Sequence, residues 1–295
     1  MSKIATLITN PATPILTTDL VAAISSSINS KNTYWLADNI ACDCVLANEV
    51  NTENIEATIR KIIGNNPIDV VIHNAETRRC KALIADMDST MIEQECIDEL
   101  AAEAGLKQQV STITARAMNG EIAFEPALIE RVALLKGLAS EVILKVLDER
   151  ITLTPGGREL VGTMKQNGAY TALVSGGFTH FTRAISKILG FDENRANQLV
   201  EEDGKLSGLV TKPILGRDAK VCALIEIAVA QNISAADFIA VGDGANDLGM
   251  LQEAGIGVAL HAKPAVARQA SVKIDHGDLT ALLYIQGYRK SEFSA

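Results

Sequence analysis

The chain of 295 residues lacks the marks of several protein classes. Basic residues are too few for a general nucleic-acid binder: 27 lysines and arginines face 36 acids, and the net charge of −9 leaves no basic footprint. There is no C-x-x-C pair. The five cysteines, Cys42, Cys44, Cys80, Cys96 and Cys222, are odd in number, which argues for free thiols in a reducing compartment. Cys42 and Cys44 alternate with apolar neighbours and read as buried strand positions. No run of about 18 apolar residues occurs, so no membrane span is expected. The start, M-S-K-I-A-T-L-I-T-N-P, is a poor signal peptide, and a cytoplasmic location is the expectation. Internal repeats and low-complexity tracts are absent as well.

What is present is ordinary globular material, 47% hydrophobic and 21% charged. Two patterns divide it. Over residues 4–73 the order is strand (I-A-T-L-I), helix (17–28), an alternating stretch at 34–46 that makes two strands, helix (54–63) and strand (I-D-V-V-I-H). That order predicts a small ferredoxin-like α+β domain at 1–78, with N-A-E-T-R-R-C-K (74–81) as linker. The domain at 79–295 alternates strands and helices. Its apolar runs end at Ala85, Val174 and Val241, the signature of a doubly wound α/β parallel sheet. Between about 93 and 150 the alternation stops for several helical stretches, which predicts an inserted helical cap.

Chemistry gathers at the strand ends, where open α/β sheets bind their ligands. There are three such places: D-M-D-S-T (86–90), Ser175-Gly176-Gly177 at an expected helix start, and G-D-G-A-N-D (242–247). Lys220 opens a helix between the last two. Taken singly, each has a bland reading: a solvated turn for D-x-D, a plain turn for S-G-G, a surface residue for Lys220. Taken together they imply four aspartates in one crevice, a repulsion that a hard dication relieves. Mg²⁺ suits a few carboxylates plus a substrate phosphate. Ser175, the amides of Gly176 and Gly177, and Lys220 offer the donors a phosphate needs. Of Asp86 and Asp88, one can attack phosphorus and the other can move the proton.

On D-M-D-S-T, Ser175, Lys220 and G-D-G-A-N-D, residues from about 82 to 290 resemble the haloacid dehalogenase superfamily, and within it the phosphoserine phosphatases. The resemblance implies a Rossmann-like core and Mg²⁺-dependent hydrolysis of O-phospho-L-serine through an aspartyl-phosphate, the last step of L-serine biosynthesis. It makes Asp86 the nucleophile and Asp88 the general acid/base. Asp86, the backbone carbonyl of Asp88, and Asp243 would hold the metal, with Asp247 behind them. Ser175, Gly176 and Lys220 would bind phosphate, and Asn246 would line the site. Glu95, Phe124 and Arg131 match that family's acid, phenylalanine and arginine for an amino-acid head group; on a helix, Phe124 and Arg131 would share a face. A phosphotransferase, or a phosphatase for another small metabolite, is the alternative. The N-terminal unit resembles ACT-type regulatory domains, and a structural role or a homodimer contact stands beside amino-acid binding there.

Overall fold

The computed structural model describes residues 3–47 and 51–295; Met1 and Ser2, at the head of the expected N-terminal domain, and positions 48–50 lie outside the described residues. Six elements come first: β1 (Lys3–Ile8), a helix (Thr18–Ser27), β2 (Asn32–Ala37), β3 (Ala41–Val45), a helix (Thr52–Ile63) and β4 (Asp69–Asn74). They make an antiparallel sheet of order β2-β3-β1-β4 with both helices against it, the expected α+β arrangement. Each helix begins where the sequence supplies a cap. The Thr17 side chain accepts from the Leu20 amide, and Asn51 accepts from Glu53 and Asn54; such a cap contributes about 1 kcal/mol.

Side-chain alternation gives this sheet two faces. Ala5, Leu7, Cys42, Cys44 and Val70 pack against Val21, Ile24, Ile59 and Ile63 of the helices. Ile8, Leu36, Ala41 and Val71 join the core of the rest of the protein instead. The sheet face left open by the helices is therefore covered by the second unit. Polar ties reinforce the junction. The buried Asp69 carboxylate accepts the amides of Asp275, His276 and Gly277 at 2.9, 3.1 and 2.7 Å. Arg78, in the connecting segment, pairs with buried Asp43 at 2.6 Å.

The second unit is built on six parallel strands: β5 (Ala82–Ala85), β6 (Tyr170–Phe178), β7 (Glu193–Asn197), β10 (Phe238–Gly242), β11 (Ile256–Leu260) and β12 (Val272–Ile274). A separate hairpin, β8 (Leu199–Glu202) with β9 (Lys205–Val210), stands apart from them. The sheet order is β12-β11-β10-β5-β6-β7. From β5 the chain winds outward one way to β7, then returns to β10 and winds the other way. The switch point lies between β5 and β10, where a crevice opens at the strand ends. Register lines those ends up, because Ala85 pairs with Val241 on one side and Leu173 on the other.

Both faces of this sheet are covered, which is why the strands read as unbroken apolar runs. Leu83, Ala85, Leu173, Ile239 and Val241 face one core, and Ala82, Ile84, Ala172, Val174 and Ala240 the other. After β5 come four helices, Cys96–Glu103, Lys107–Met118, Phe124–Leu134 and Val142–Glu149, over the stretch expected to be helical. Among the described residues no helix is long and apolar enough to cross a membrane. All five cysteines are free and only Cys222 is exposed.

Candidate active site

Beyond Ala85 the chain makes one wide turn, Met87–Met91, closed by the Ile92 amide donating to the Met87 carbonyl at 3.0 Å. Ser89 takes a left-handed φ of 54° inside it, a conformation that costs a non-glycine residue about 1–2 kcal/mol. Met87 is buried in the core, while Asp86 and Asp88 both line one small cavity of about 30 Å³. That cavity also has Glu95, Phe124, Arg131, Ser175, Gly176, Gly177 and Asn246 in its wall. Nine residues singled out from sequence are thus brought together.

The two aspartates have different surroundings. Asp86 Oδ1 lies 2.8 Å from the Lys220 ammonium, which is itself fully buried and 2.5 Å from Asp247. Carboxylate oxygens of Asp86, Asp243 and Asp247 lie within 4.8 Å of one another. The Asp88 side chain turns elsewhere: Oδ1 accepts the Cys96 amide at 2.8 Å and Oδ2 accepts the Ser175 hydroxyl at 3.2 Å. A second acidic group, Asp69, Asp275 and His276, is of another kind, since three amides already occupy the Asp69 carboxylate.

Burial sets the proton affinities. It pushes Asp86 well up, helped by Asp247 and opposed by Lys220. It raises Asp88 against the donors from Cys96 and Ser175. Burial and Asp247 bring Asp243 to about 7, although Lys263 Nζ lies 3.1 Å away. Glu95 stands at about 8 through burial, then Asp88 and Asp243; it accepts the Ser89 hydroxyl at 2.8 Å. For Lys220 burial acts downward, but Asp247 and Asp86 outweigh it and hold the ammonium above its usual range.

Two glycines are present because nothing larger fits. A Cβ on Gly177 would stand 2.5 Å from Asp88 Oδ2, and one on Gly176 would stand 2.5 Å from the Phe124 ring. These residues differ from expectation in one respect. Ser175–Gly177 belong to the end of β6, not to a helix start; the helix begins at Thr179. The Gly177 amide donates to Ser175 Oγ at 2.9 Å, so it holds the serine in place.

Comparison with known proteins agrees with this geometry. The family profile of the haloacid dehalogenase-like hydrolases matches residues 83–252. The chain belongs to that family. It is 37% identical over 297 residues to a phosphoserine phosphatase of Streptomyces coelicolor, covering 99% of this chain and 72% of that one. A haloacid dehalogenase family hydrolase from Salmonella enterica serovar Typhi superposes with a TM-score of 0.84 at 30% identity, over 96% of this chain and 98% of the other. A phospho-aspartyl intermediate analogue of phosphoserine phosphatase superposes with a TM-score of 0.67 at 41% identity, over 70% of this chain and 98% of that one.

In this hydrolase several contributors lie outside the residues expected from sequence. Arg131 is 2% exposed, and both its contacts are to neutral oxygens: Nε donates to the Ala127 carbonyl at 3.0 Å and Nη1 to Thr114 Oγ1 at 3.0 Å. The Thr114 hydroxyl in turn donates a hydrogen bond to Asp98 Oδ1 at 2.6 Å, so two helices steer the arginine. Ile97, Met118, Leu128 and Phe178 complete the wall. No sequence signal sets these apart from core residues. Asp247, expected to stand behind the metal ligands, has a carboxylate oxygen within 4.8 Å of those of Asp86 and Asp243, and it accepts from Lys220 through Oδ1 and from the Gly244 amide through Oδ2. The Asn246 Oδ1 atom is buried and has no hydrogen-bond partner among the described residues.

Proposed function

We propose that this chain hydrolyses O-phospho-L-serine to L-serine and phosphate, with residues 79–295 as the catalytic domain, a helical cap at about 93–150, and 1–78 as an appended α+β domain. One observation carries the substrate: a buried guanidinium without a carboxylate partner among the described residues shares a cavity with Glu95 and the Asp86–Asp88 pair. A free amino-acid head group satisfies Arg131 with its carboxylate and Glu95 with its ammonium, leaving the ester beside Asp86. Sugar phosphates offer neither group. The relatives named phosphoserine phosphatase support the same reading.

Asp86 attacks phosphorus; the P–O ester bond breaks, and Asp88 gives its proton to the departing serine oxygen. Burial raises the proton affinity of Asp88, against the donors from Cys96 and Ser175, in the direction that this step needs. In the second half Asp88 takes a proton from water, whose oxygen displaces Asp86 from phosphorus and releases phosphate. Ser175 and Gly176 line the cavity with Asp86 and would hold phosphate oxygens, and Lys220, 2.8 Å from Asp86, would orient it. The trio Asp86, Asp243 and Asp247 is a hard oxygen donor set that fits Mg²⁺, and the Asp88 carbonyl would add a further ligand. When bound, that dication supplies neutralisation of charge on the phosphoryl oxygens. The test is phosphate release from O-phosphoserine with Mg²⁺ and then EDTA, in the wild type and in Asp86→Asn. Turnover that survives the asparagine change, or that ignores EDTA, is incompatible with the reading.

A further inference from the structure

The two lysines at the carboxylate trio are differently placed. Lys220 is sealed, its side chain wholly buried between Asp86 and Asp247. Lys263 is 38% exposed, follows β11, and touches the trio only through Asp243 Oδ2 at 3.1 Å. Its main chain is tied to the same residue, the Lys263 amide donating to the Asp243 carbonyl at 3.2 Å. The main chain is thus anchored beside Asp243, and the paired side chain is partly open to solvent.

Outside Lys263 lies a second, larger cavity of about 490 Å³. Asp243 forms part of its wall, with Glu93 and Asp278 nearby and Asn10 and Ala12 of the N-terminal unit at its edge. The substrate cavity, at about 30 Å³, has Phe124 packed over Gly176. Of these two cavities the larger has Asp243 in its wall, so a hydrated dication, which sheds its waters reluctantly, would reach Asp243 from that side.

We propose that Lys263 is a displaceable guard: its ammonium holds Asp243 while the metal site is empty, and a dication arriving through the larger cavity replaces it there. The inference rests on the assignment of Mg²⁺ to the trio. One cation exchanges for another, so the buried Asp243 carboxylate is never left bare. The exchange also carries a cost. The Lys263–Asp243 pair must open whenever metal binds, and a positive charge remains near the ion afterwards. Lys263 therefore weakens metal affinity while stabilising the metal-free protein.

Titration with Mn²⁺, monitored by the paramagnetic signal of the free ion, tests this in the wild type, Lys263→Met and Lys263→Arg. The methionine keeps the stem and removes the charge. It is expected to bind Mn²⁺ roughly two- to fivefold tighter, the worth of one partly exposed ion pair no longer broken on entry. Its melting temperature should fall without metal and rise more on adding Mn²⁺. Arginine should bind as the wild type does. Unchanged or weaker Mn²⁺ binding in Lys263→Met overturns the proposal, as does equal tightening in both variants. A wild type that binds no Mn²⁺ is a separate failure, and it removes the metal reading itself.

Discussion

Replacing Arg131 by methionine isolates the part of the site that recognises the amino acid. The stem packing is largely kept, and the guanidinium is lost from a position only 2% exposed. Two of its five N–H donors serve Ala127 and Thr114, which leaves a fork for a substrate carboxylate. Removing one partner of a buried, hydrogen-bonded charge pair costs about 2–5 kcal/mol, roughly 30- to 5,000-fold in kcat/KM. The control is O-phosphoethanolamine, which differs from O-phosphoserine only by the missing carboxylate. It cannot use Arg131, so its own slow hydrolysis should change little in the variant. Phosphate release with both esters, wild type against Arg131→Met, gives the ratio directly. If both esters lose activity equally, Arg131 supports the fold of the cavity and not the substrate, and the assignment to an amino-acid ester fails.

The buried acids and the domain junction carry further consequences. Asp86, Asp88, Asp243 and Glu95 all bind protons more tightly folded than unfolded, the last two at about 7 and about 8. Their raised affinities stabilise the metal-free protein below the ordinary carboxylate range, and that contribution is lost as pH rises through the folded values. Melting in EDTA should therefore worsen from about pH 4.5 to about pH 8, with Mg²⁺ restoring more at the alkaline end; a flat EDTA profile would count against the burial argument. Asp69→Ala strands three amides at the junction, at a cost of about 3 kcal/mol in denaturant unfolding, and should speed hydrogen exchange in β4; a loss below about 1 kcal/mol would show that water replaces the carboxylate. Binding of substrate, or of a non-hydrolysable analogue, should take up protons. Calorimetry in buffers of different ionisation heat reads this, and an uptake of zero refutes it.

The sequence was most legible where a periodic pattern met a strand end. Apolar runs ending at Ala85, Val174 and Val241 gave three neighbouring strands, and the polar residues after them fell at one level because parallel register left no choice. Glu95, Phe124 and Arg131 could be placed only through resemblance, since nothing local says that a helical arginine turns inward. Thr114 and Asp98 were invisible for the same reason: they act by steering another side chain. Lys263 was within reach, because H-A-K-P follows a strand just as the other loops do, and the rule that ligands bind beyond strand ends applies to it too. Contact between the N-terminal sheet and the catalytic unit was not readable at all. Ile8, Leu36 and Val71 look like ordinary inward strand residues, and alternation does not say which neighbour covers the second face.

Charge balance links these features to the chemistry. Asp86, Asp88, Glu95, Asp243 and Asp247 face Lys220, Lys263 and Arg131, so the ionised site lacks two positive charges, the charge of one dication. With that ion bound the site is near neutral, and an arriving phosphate dianion then tips it negative again. The amino-acid head group does not offset this, because its ammonium and carboxylate cancel. In a buried cavity the imbalance is relieved most readily by a proton on a carboxylate outside the metal's reach. Asp88 is such a carboxylate: its oxygens lie against Ser175 and the Cys96 amide, not in the trio. The substrate's own phosphate charge thereby loads Asp88 with the proton that the departing serine oxygen needs.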